Sequence, residues 1–345
     1  MTEARPFSVV VTGLLREPER FRRSVASWTA MRKRGLIDRI ITVTWQSEAH
    51  RDPGACDWLR ERGVELIVRP DTKIQGIGNI WPQMLAMDVG LGEVGPGDLV
   101  FKTRTDLWID PALLEAVSQT PGYLDLDVPD GSMRVFDGRV WVPWFEMITP
   151  FYLSDECFVG RASDLRRLVN YDESYSLKHE VSCGITHYRR FIHPFRGRSD
   201  QFEVFLDRFT DTGLGDPQRD ERQAALLDDD AFLRCLAAAY AAIASHFRFA
   251  SPDRSIEFRD WSSGTPGPGR EPMGASFDPS RRGLEIGHRF CMDDRWLHAL
   301  LAGELPRDQL GDRFADFLGV SRESGLGWCR PRAALPETLG GVAVG

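Results

Sequence analysis

Residues 7–13 have the sequence FSVVVTG, an apolar, β-rich run that ends in a glycine. An amphipathic stretch from about Glu17 to Arg34 follows this run. Its apolar side chains recur at helical spacing, at Phe21, Val25, Trp28 and Met31. The next β-rich run extends from Arg39 to Trp45. Strand, helix and strand in this order predict a parallel sheet covered by helices.

The same alternation continues to residue 103. A short helix at Asp57–Arg62 precedes a third strand at Val64–Val68, and a helix at Asn79–Gly90 precedes a fourth strand at Leu99–Thr103. We therefore predict an α/β fold with a mostly parallel central sheet flanked by helices. In such folds, ligands bind outside the carboxyl ends of the strands.

The second half of the sequence is predominantly helical. A strand at Cys157–Gly160 is predicted to return to the sheet, before a helix capped by Ser163. Beyond Ser176 the apolar spacing predicts helices at Leu177–Phe191, Gln201–Thr210, Asp220–Ser245, Asp293–Ala302 and Arg307–Leu318, with a loop at Trp261–Pro279. We divide the chain into a core at 1–195 and a mainly helical region at 196–345 that packs on the core or binds the acceptor.

Composition excludes several classes of protein. The formal charge of −8, from 51 acidic and 43 basic residues, gives no general attraction to nucleic acid or to an anionic bilayer. The start shows no signal-peptide pattern, and the longest apolar run, Cys235–Ala244, is too short to span a membrane. Six scattered cysteines are typical of reduced thiols. We expect a soluble, cytoplasmic protein, with peripheral membrane contact left open.

Alternating charges follow the fourth strand. If the strand remains extended to Asp106, its period of two places Lys102, Arg104 and Asp106 on one side. The cations suit a diphosphate, and Asp106 suits Mg²⁺ or Mn²⁺ as an oxygen ligand. The alternative is a strand end with solvated charges and a structural salt bridge.

Two further segments contain candidate site residues. The loop that includes Asp71, Gly76, Gly78 and Asn79 leads from the third strand into a helix, where backbone amides can receive a phosphate or ribose oxygen. The alternative is a turn with Asn79 as helix cap.

The segment at Phe151–Gly160 contains Asp155, a carboxylate between apolar runs that is a candidate base for a sugar hydroxyl. The alternative is a turn whose acid caps the next segment. Glu180 lies beside His179, Cys183 and His187, whose spacing fits either a metal-binding helix face or, more simply, helix packing.

These segments, in this order and spacing, resemble the WavE lipopolysaccharide synthesis family, bacterial proteins assigned as glycosyltransferases. The resemblance covers roughly residues 7–195. It depends on short matching segments, namely SVASW at 24–28, IITVTWQ at 40–46, GNIWPQ at 78–83, KTRTDL at 102–107 and YLSDECFVG at 152–160.

The resemblance implies a GT-A-like fold, a nucleotide-sugar donor, and a surface-polysaccharide, lipopolysaccharide or other glycan or glycolipid acceptor. In GT-A enzymes the last aspartate of a DxD motif binds a divalent cation (Mn²⁺ or Mg²⁺), and Asp106 matches that position. Arg104 stands where the first aspartate is expected, and arginine does not ligate metals, so Lys102 and Arg104 could replace part of the metal's charge.

Our expectation is therefore a nucleotide-sugar-dependent glycosyltransferase, with Asp155 or Glu180 as base. The expected donor-binding residues are Thr12, Gly13, Asp71, Asn79, Gln83, Lys102, Arg104 and Asp106. The alternatives are a nucleotide- or carbohydrate-binding protein without turnover, or a nucleotidyltransferase that makes activated sugars.

Overall fold

A computed structural model gives the positions of most of the first 249 residues. The structure describes residues 5–15, 18–73, 80–109, 111–126, 134–143, 145–146, 150–171, 191–209, 226, 229–249, 258–260, 290–291 and 297. The predicted helices at 177–191, 293–302 and 307–318 and the predicted loop at 261–279 lie wholly or almost wholly outside these ranges.

A seven-stranded, mostly parallel sheet forms the centre of the protein, in the order β3-β2-β1-β4-β8-β6-β9. Strands β1 to β4 pair in parallel with one another, β8 runs antiparallel to both β4 and β6, and β9 pairs in parallel with β6. The strands of this sheet are β1 Phe7–Thr12, β2 Ile37–Trp45, β3 Glu65–Arg69, β4 Leu99–Arg104, β6 Val140–Trp141, β8 Phe158–Arg161 and β9 Phe247–Arg248.

Two smaller pairings accompany the sheet. Strand β5, Leu107–Ile109, pairs antiparallel with β10, Phe258–Asp260, and β7, Phe145–Glu146, pairs antiparallel with β11, Phe290–Cys291. The helices are α1 Pro18–Lys33, α2 Gln46–Arg51, α3 Pro53–Glu61, α4 Ile80–Gly92, α5 Ala112–Gln119, α6 Ala162–Arg166, α7 Asp200–Arg208 and α8 Asp230–His246.

The α/β prediction is confirmed, and the first four strands lie within two residues of their expected bounds. Helix α3 begins earlier than predicted, because Pro53 occupies its first turn and the Asp52 side chain accepts a hydrogen bond from Ala55 N at 2.8 Å. Helix α2 was not predicted from the sequence. The capping role predicted for Ser163 is wrong, because α6 starts at Ala162 with Arg161 as its cap residue.

Apolar side chains cover both faces of the sheet. Val10, Val43, Val100 and Phe158 belong to a buried cluster with residues of α4 and α8. The alternate residues of the same strands, such as Val9 and Phe101, belong to a second buried cluster with α1, α3 and α5. This alternation explains why central strands that are apolar on both faces are continuous hydrophobic runs in the sequence.

The described part of the C-terminal region is joined to the sheet. Helix α8 is almost entirely buried in the first cluster, and the chain passes directly from it into β9, the last strand of the sheet. Within the described parts of the chain, no helix is long and apolar enough to cross a membrane.

Candidate functional site

Polar side chains converge at one edge of the sheet, where the parallel strands end. Strands β1, β2, β3 and β4 finish there at Thr12, Trp45, Arg69 and Arg104. Because β8 runs antiparallel to β4, the segment that leads into β8 reaches the same edge. The candidate base Asp155, 53 residues from Lys102 in sequence, is brought to the end of β4 in this way.

The turn after β1 is held closely against the turn after β4. Gly13 has a φ of 131°, in the region that favours glycine, and a Cβ at this position would lie 2.8 Å from Thr105 Oγ1. Thr105 donates from its backbone N to Thr12 O at 3.2 Å and from Oγ1 to Leu14 O at 2.7 Å. Thr44 Oγ1 donates to Gly13 O at 3.2 Å. These hydrogen bonds fix the backbone of residues 12–14 against the ends of β2 and β4.

The hydrogen bonds of Thr105 to Thr12 and Leu14 lie just beyond the end of β4. The strand was predicted at Leu99–Thr103 and ends at Arg104; the extended conformation does not continue to Asp106, because Thr105 and Asp106 form a turn. Arg104 and Asp106 nevertheless meet across this turn. Arg104 Nε donates to Asp106 Oδ1 at 2.8 Å and Nη2 donates to Oδ2, so the pair has two parallel hydrogen bonds.

This ion pair is accessible to solvent. The side chains of Arg104 and Asp106 are 22% and 27% exposed. Burial by itself lowers the pKa of Arg104, but the hydrogen bonds and charge of Asp106 outweigh it, so the pKa is raised above its usual range. The negative charges of Asp155 and Glu156 also raise the pKa of Arg104. Arg104 is therefore a permanent cation among three carboxylates.

Lys102 lies behind this pair and is fully buried. Its Nζ donates to the backbone oxygens of Asp155, at 2.8 Å, and Glu156, at 3.1 Å. The ammonium also lies 5.1 Å from the centre of the Phe158 ring, the residue opposite Lys102 in the β4–β8 ladder. Lys102 therefore lies in the protein interior, whereas Arg104 lies partly exposed at the carboxyl end of β4.

The chain bends at Glu156, and residues 154–156, which lead into β8, are called the turn at 154–156; its three polar residues are nearly buried. Ser154 is 1%, Asp155 8% and Glu156 9% exposed. Ser154 Oγ donates to Glu156 Oε2 at 2.9 Å. Glu156 was not among the residues selected from the sequence, although it is adjacent to Asp155, because two neighbouring acids do not reveal which one faces the site.

The other predicted site residues are more dispersed. Thr12 is paired with Arg104 in the β1–β4 ladder. Asp71 follows the edge strand β3, roughly 14 Å from β4 at the usual strand spacing. Its carboxylate accepts from Ser47 N at 3.0 Å and from Ser47 Oγ, and so caps α2. Asn79 and Glu180 lie outside the described residues, as do Gly76, Gly78, His179, Cys183 and His187.

Gln83 occupies the first turn of α4, the helix that packs on β1 and β2. Its Oε1 is buried and has no hydrogen-bond partner among the residues for which the structure gives positions. Thus Thr12, Gly13, Lys102, Arg104, Asp106 and Asp155 are assembled at one strand edge, and Asp71 is placed at its outer end.

No model of a known protein family matches the chain, and a search of curated proteins returns no match. The resemblance to the WavE family therefore depends on the five short sequence segments alone.

A divalent cation does not fit the arrangement of these residues. Both carboxylate oxygens of Asp106 accept hydrogen bonds from Arg104, which also brings a positive charge to the position a metal would take. Over the described ranges, no group of three or more His, Cys, Asp or Glu side chains is placed to hold a metal ion.

Proposed function

We propose that the protein is a glycosyltransferase that moves a sugar from a nucleotide-sugar donor to a glycan or glycolipid acceptor. The observation that carries this proposal is the position of Arg104. A partly exposed guanidinium group stands at the carboxyl edge of a parallel sheet, within range of the charges of Asp155 and Glu156 in the turn at 154–156. Transfer from a nucleotide sugar needs both a cation for the diphosphate and a carboxylate near the acceptor hydroxyl.

The donor diphosphate is proposed to bind at Arg104, over the backbone of Thr12 and Gly13. Guanidinium forms two parallel hydrogen bonds to phosphate as readily as to carboxylate, so the diphosphate competes with Asp106 for the same donor atoms. Negative charge grows on the diphosphate as the sugar leaves, and a fixed cation stabilises that charge most in the transition state. The nucleoside then extends across the strand ends towards Asp71.

The acceptor hydroxyl forms the new bond to the anomeric carbon, and the bond from that carbon to the diphosphate oxygen breaks. The diphosphate leaves with the electron pair of this bond, and the hydroxyl proton passes to a base. Asp155 is the proposed base when the reaction inverts the anomeric configuration, because it reaches the edge next to Arg104. No base is required when the configuration is retained.

We further propose that the reaction takes place in the cytoplasm and builds lipopolysaccharide or another surface polysaccharide. The six cysteines are scattered along the sequence without paired spacing, which supports a reducing compartment. The acceptor class comes from the resemblance to the WavE family.

Release of nucleoside diphosphate tests the proposal. The protein is incubated with UDP-glucose, UDP-N-acetylglucosamine, GDP-mannose and dTDP-rhamnose, each with a mixture of bacterial glycolipids and with water alone as acceptor. We expect one donor to release its diphosphate and, when the reaction inverts the configuration, Asp155→Asn to slow this release at least about 100-fold. Asp57→Asn, on α3, is the control and retains the wild-type rate, because Asp57 is an exposed helix residue whose partner is Arg60.

The two alternatives give different results in the same assay. A binding protein without turnover shows donor binding by calorimetry but no release with any acceptor. A nucleotidyltransferase consumes a sugar phosphate and a nucleoside triphosphate and releases pyrophosphate. Either outcome would exclude glycosyl transfer.

A further inference from the structure

Lys102 is enclosed too completely to reach a bound donor. It is 0% exposed, and its Nζ donates to two backbone oxygens and lies over the Phe158 ring. A buried ammonium is costly unless its hydrogen bonds are satisfied, so its present partners hold it firmly. Moving Nζ to a phosphate would leave both carbonyl groups without these bonds. The ammonium therefore binds the backbone of the turn at 154–156 and not the donor.

Phe151, three residues before this turn, is closely packed. The φ of Phe151 is 58°, in the left-handed region that residues with a side chain rarely adopt. Its ring is fully buried, with centroids 5.2 Å from those of both Phe195 and Phe202. The positive φ of Phe151 thus coincides with close packing of its ring against Phe195 and Phe202, and such packing can offset the cost of an unfavourable backbone conformation.

We propose that Lys102 is a positioning residue, whose ammonium fixes the turn at 154–156 against the end of β4 and so sets the distance between the Asp155 carboxylate and Arg104. This role rests on the proposed function, since it assigns Lys102 to the orientation of the base and not to the phosphates. Both carbonyl bonds join segments that are 53 and 54 residues apart, and the β4–β8 ladder begins at the same residue. Without the ammonium, the turn loses these two hydrogen bonds to β4 and keeps the ladder that follows it.

Lys102→Met and Lys102→Gln test this role. Methionine keeps the length and removes the donor group, and glutamine keeps a shorter donor. Lys33→Met is the matched control, because Lys33 is an exposed residue at the end of α1. Circular dichroism identifies the variants that fold, and each folded variant is then compared with the wild type.

Amide hydrogen exchange tests the tether without any substrate. We expect exchange at residues 154–158 to increase at least tenfold in Lys102→Met, less in Lys102→Gln, and not at all in Lys33→Met, while exchange in β1 and β2 stays unchanged. Unchanged exchange at 154–158 in both Lys102 variants would overturn the proposal.

Calorimetry with UDP and GDP, together with diphosphate release from the sugar nucleotides named above, tests the function of the tether. A positioning residue predicts diphosphate affinity within threefold of the wild type and a kcat reduced at least tenfold. A loss of UDP or GDP affinity of tenfold or more, with kcat retained at saturating donor, would show that Lys102 contacts the donor and would overturn the proposal. Failure of the wild type to bind or turn over any donor contradicts the proposed function, and the exchange experiment still decides whether Lys102 holds the turn.

Discussion

Arg104 Nε lies 2.8 Å from Asp106 Oδ1, in an ion pair that spans a single turn at the carboxyl end of β4. A second pair of the same geometry joins Arg39 and Glu65, where Arg39 Nε lies 2.8 Å from Glu65 Oε1. The second pair lies at the opposite end of the sheet, near the start of β2. The Arg39–Glu65 pair lies away from the candidate site and can therefore serve as a control for substitutions in the Arg104–Asp106 pair.

Arg104→Lys tests the role of the first pair. Lysine keeps the charge but cannot form two parallel hydrogen bonds, so we expect affinity for UDP or GDP to fall about tenfold or more, a loss of roughly 1.4 kcal/mol. The pair is partly exposed, so the free energy of unfolding should change by less than about 1 kcal/mol. Calorimetry and urea unfolding measure the two effects.

Arg39→Lys is the matched substitution. It likewise keeps the charge and breaks the two parallel hydrogen bonds to a carboxylate, here at the amino end of the sheet, and nucleotide affinity should remain at the wild-type value. Equal losses of affinity in the two variants would indicate a general effect on the sheet and would contradict a donor site at Arg104.

Two glycines of α4 predict opposite effects on stability. A Cβ at Gly90 would clash with Val10 Cγ1 and lie 3.3 Å from Val43 Cγ2, whereas a Cβ at Gly92 meets nothing within 4 Å. We expect Gly90→Ala to cost about 1–3 kcal/mol through overpacking. Gly92→Ala should be neutral or add up to about 1 kcal/mol, because alanine reduces the entropy of the unfolded chain. Urea unfolding of both variants measures this difference, and similar values would contradict close packing of α4 on β1.

Gly13→Ala tests the contact between the turns after β1 and β4. The positive φ and the 2.8 Å approach to Thr105 Oγ1 predict a loss of about 1–3 kcal/mol. Thr105→Ala alone should cost about 1 kcal/mol, because it removes the hydrogen bond to Leu14 O. The double variant should lose less than the sum, since the hydroxyl group is then absent. Additive costs in urea unfolding would show that the two residues are not in contact.

The reactivity of Cys235 should depend on pH in a characteristic way. Burial raises the pKa of the Cys235 thiol to about 12, and its Sγ donates to Gln201 O at 3.1 Å. At pH 8 only about one such thiol in ten thousand is ionised, against about one in four for an ordinary cysteine. Alkylation by iodoacetamide in the folded protein should therefore be at least about 100-fold slower than in urea, because the thiolate is the reacting form.

The rate in the folded protein should also keep rising about tenfold per pH unit from pH 8 to 10, whereas the rate in urea levels off near pH 9. Peptide mapping by mass spectrometry measures both rates at Cys235. Rapid labelling of the folded protein at pH 8 would contradict a buried thiol.

The sheet could be predicted well where the signal is local. Residues 9–11 and 99–101 are apolar on both faces, so their strands are visible as hydrophobic runs. Helix α2 escaped prediction because its six residues, QSEAHR, have no apolar period. It is capped by Asp71, 24 residues away, and a cap at that distance leaves no trace in the local sequence.

The site could be predicted only in outline, because its contacts depend on register. Lys102, Arg104 and Asp106 were selected for their alternation, but alternation does not reveal that Thr105 turns the chain or that one cation is buried. The antiparallel pairing of Lys102 with Phe158 decides that Lys102 meets the backbone of Asp155 and Glu156. Such long-range pairing is set by the packed sheet as a whole.

Strand β9 takes its place beside β6 only after the ribosome has translated the chain as far as residue 248. Until then the growing chain presents an open edge at β6 and lacks α8, whose apolar side chains belong to the same cluster as Val10 and Val100. Nascent chains in this condition aggregate readily. We therefore expect molecular chaperones to protect this protein through most of its synthesis, and its expression yield to depend on their supply.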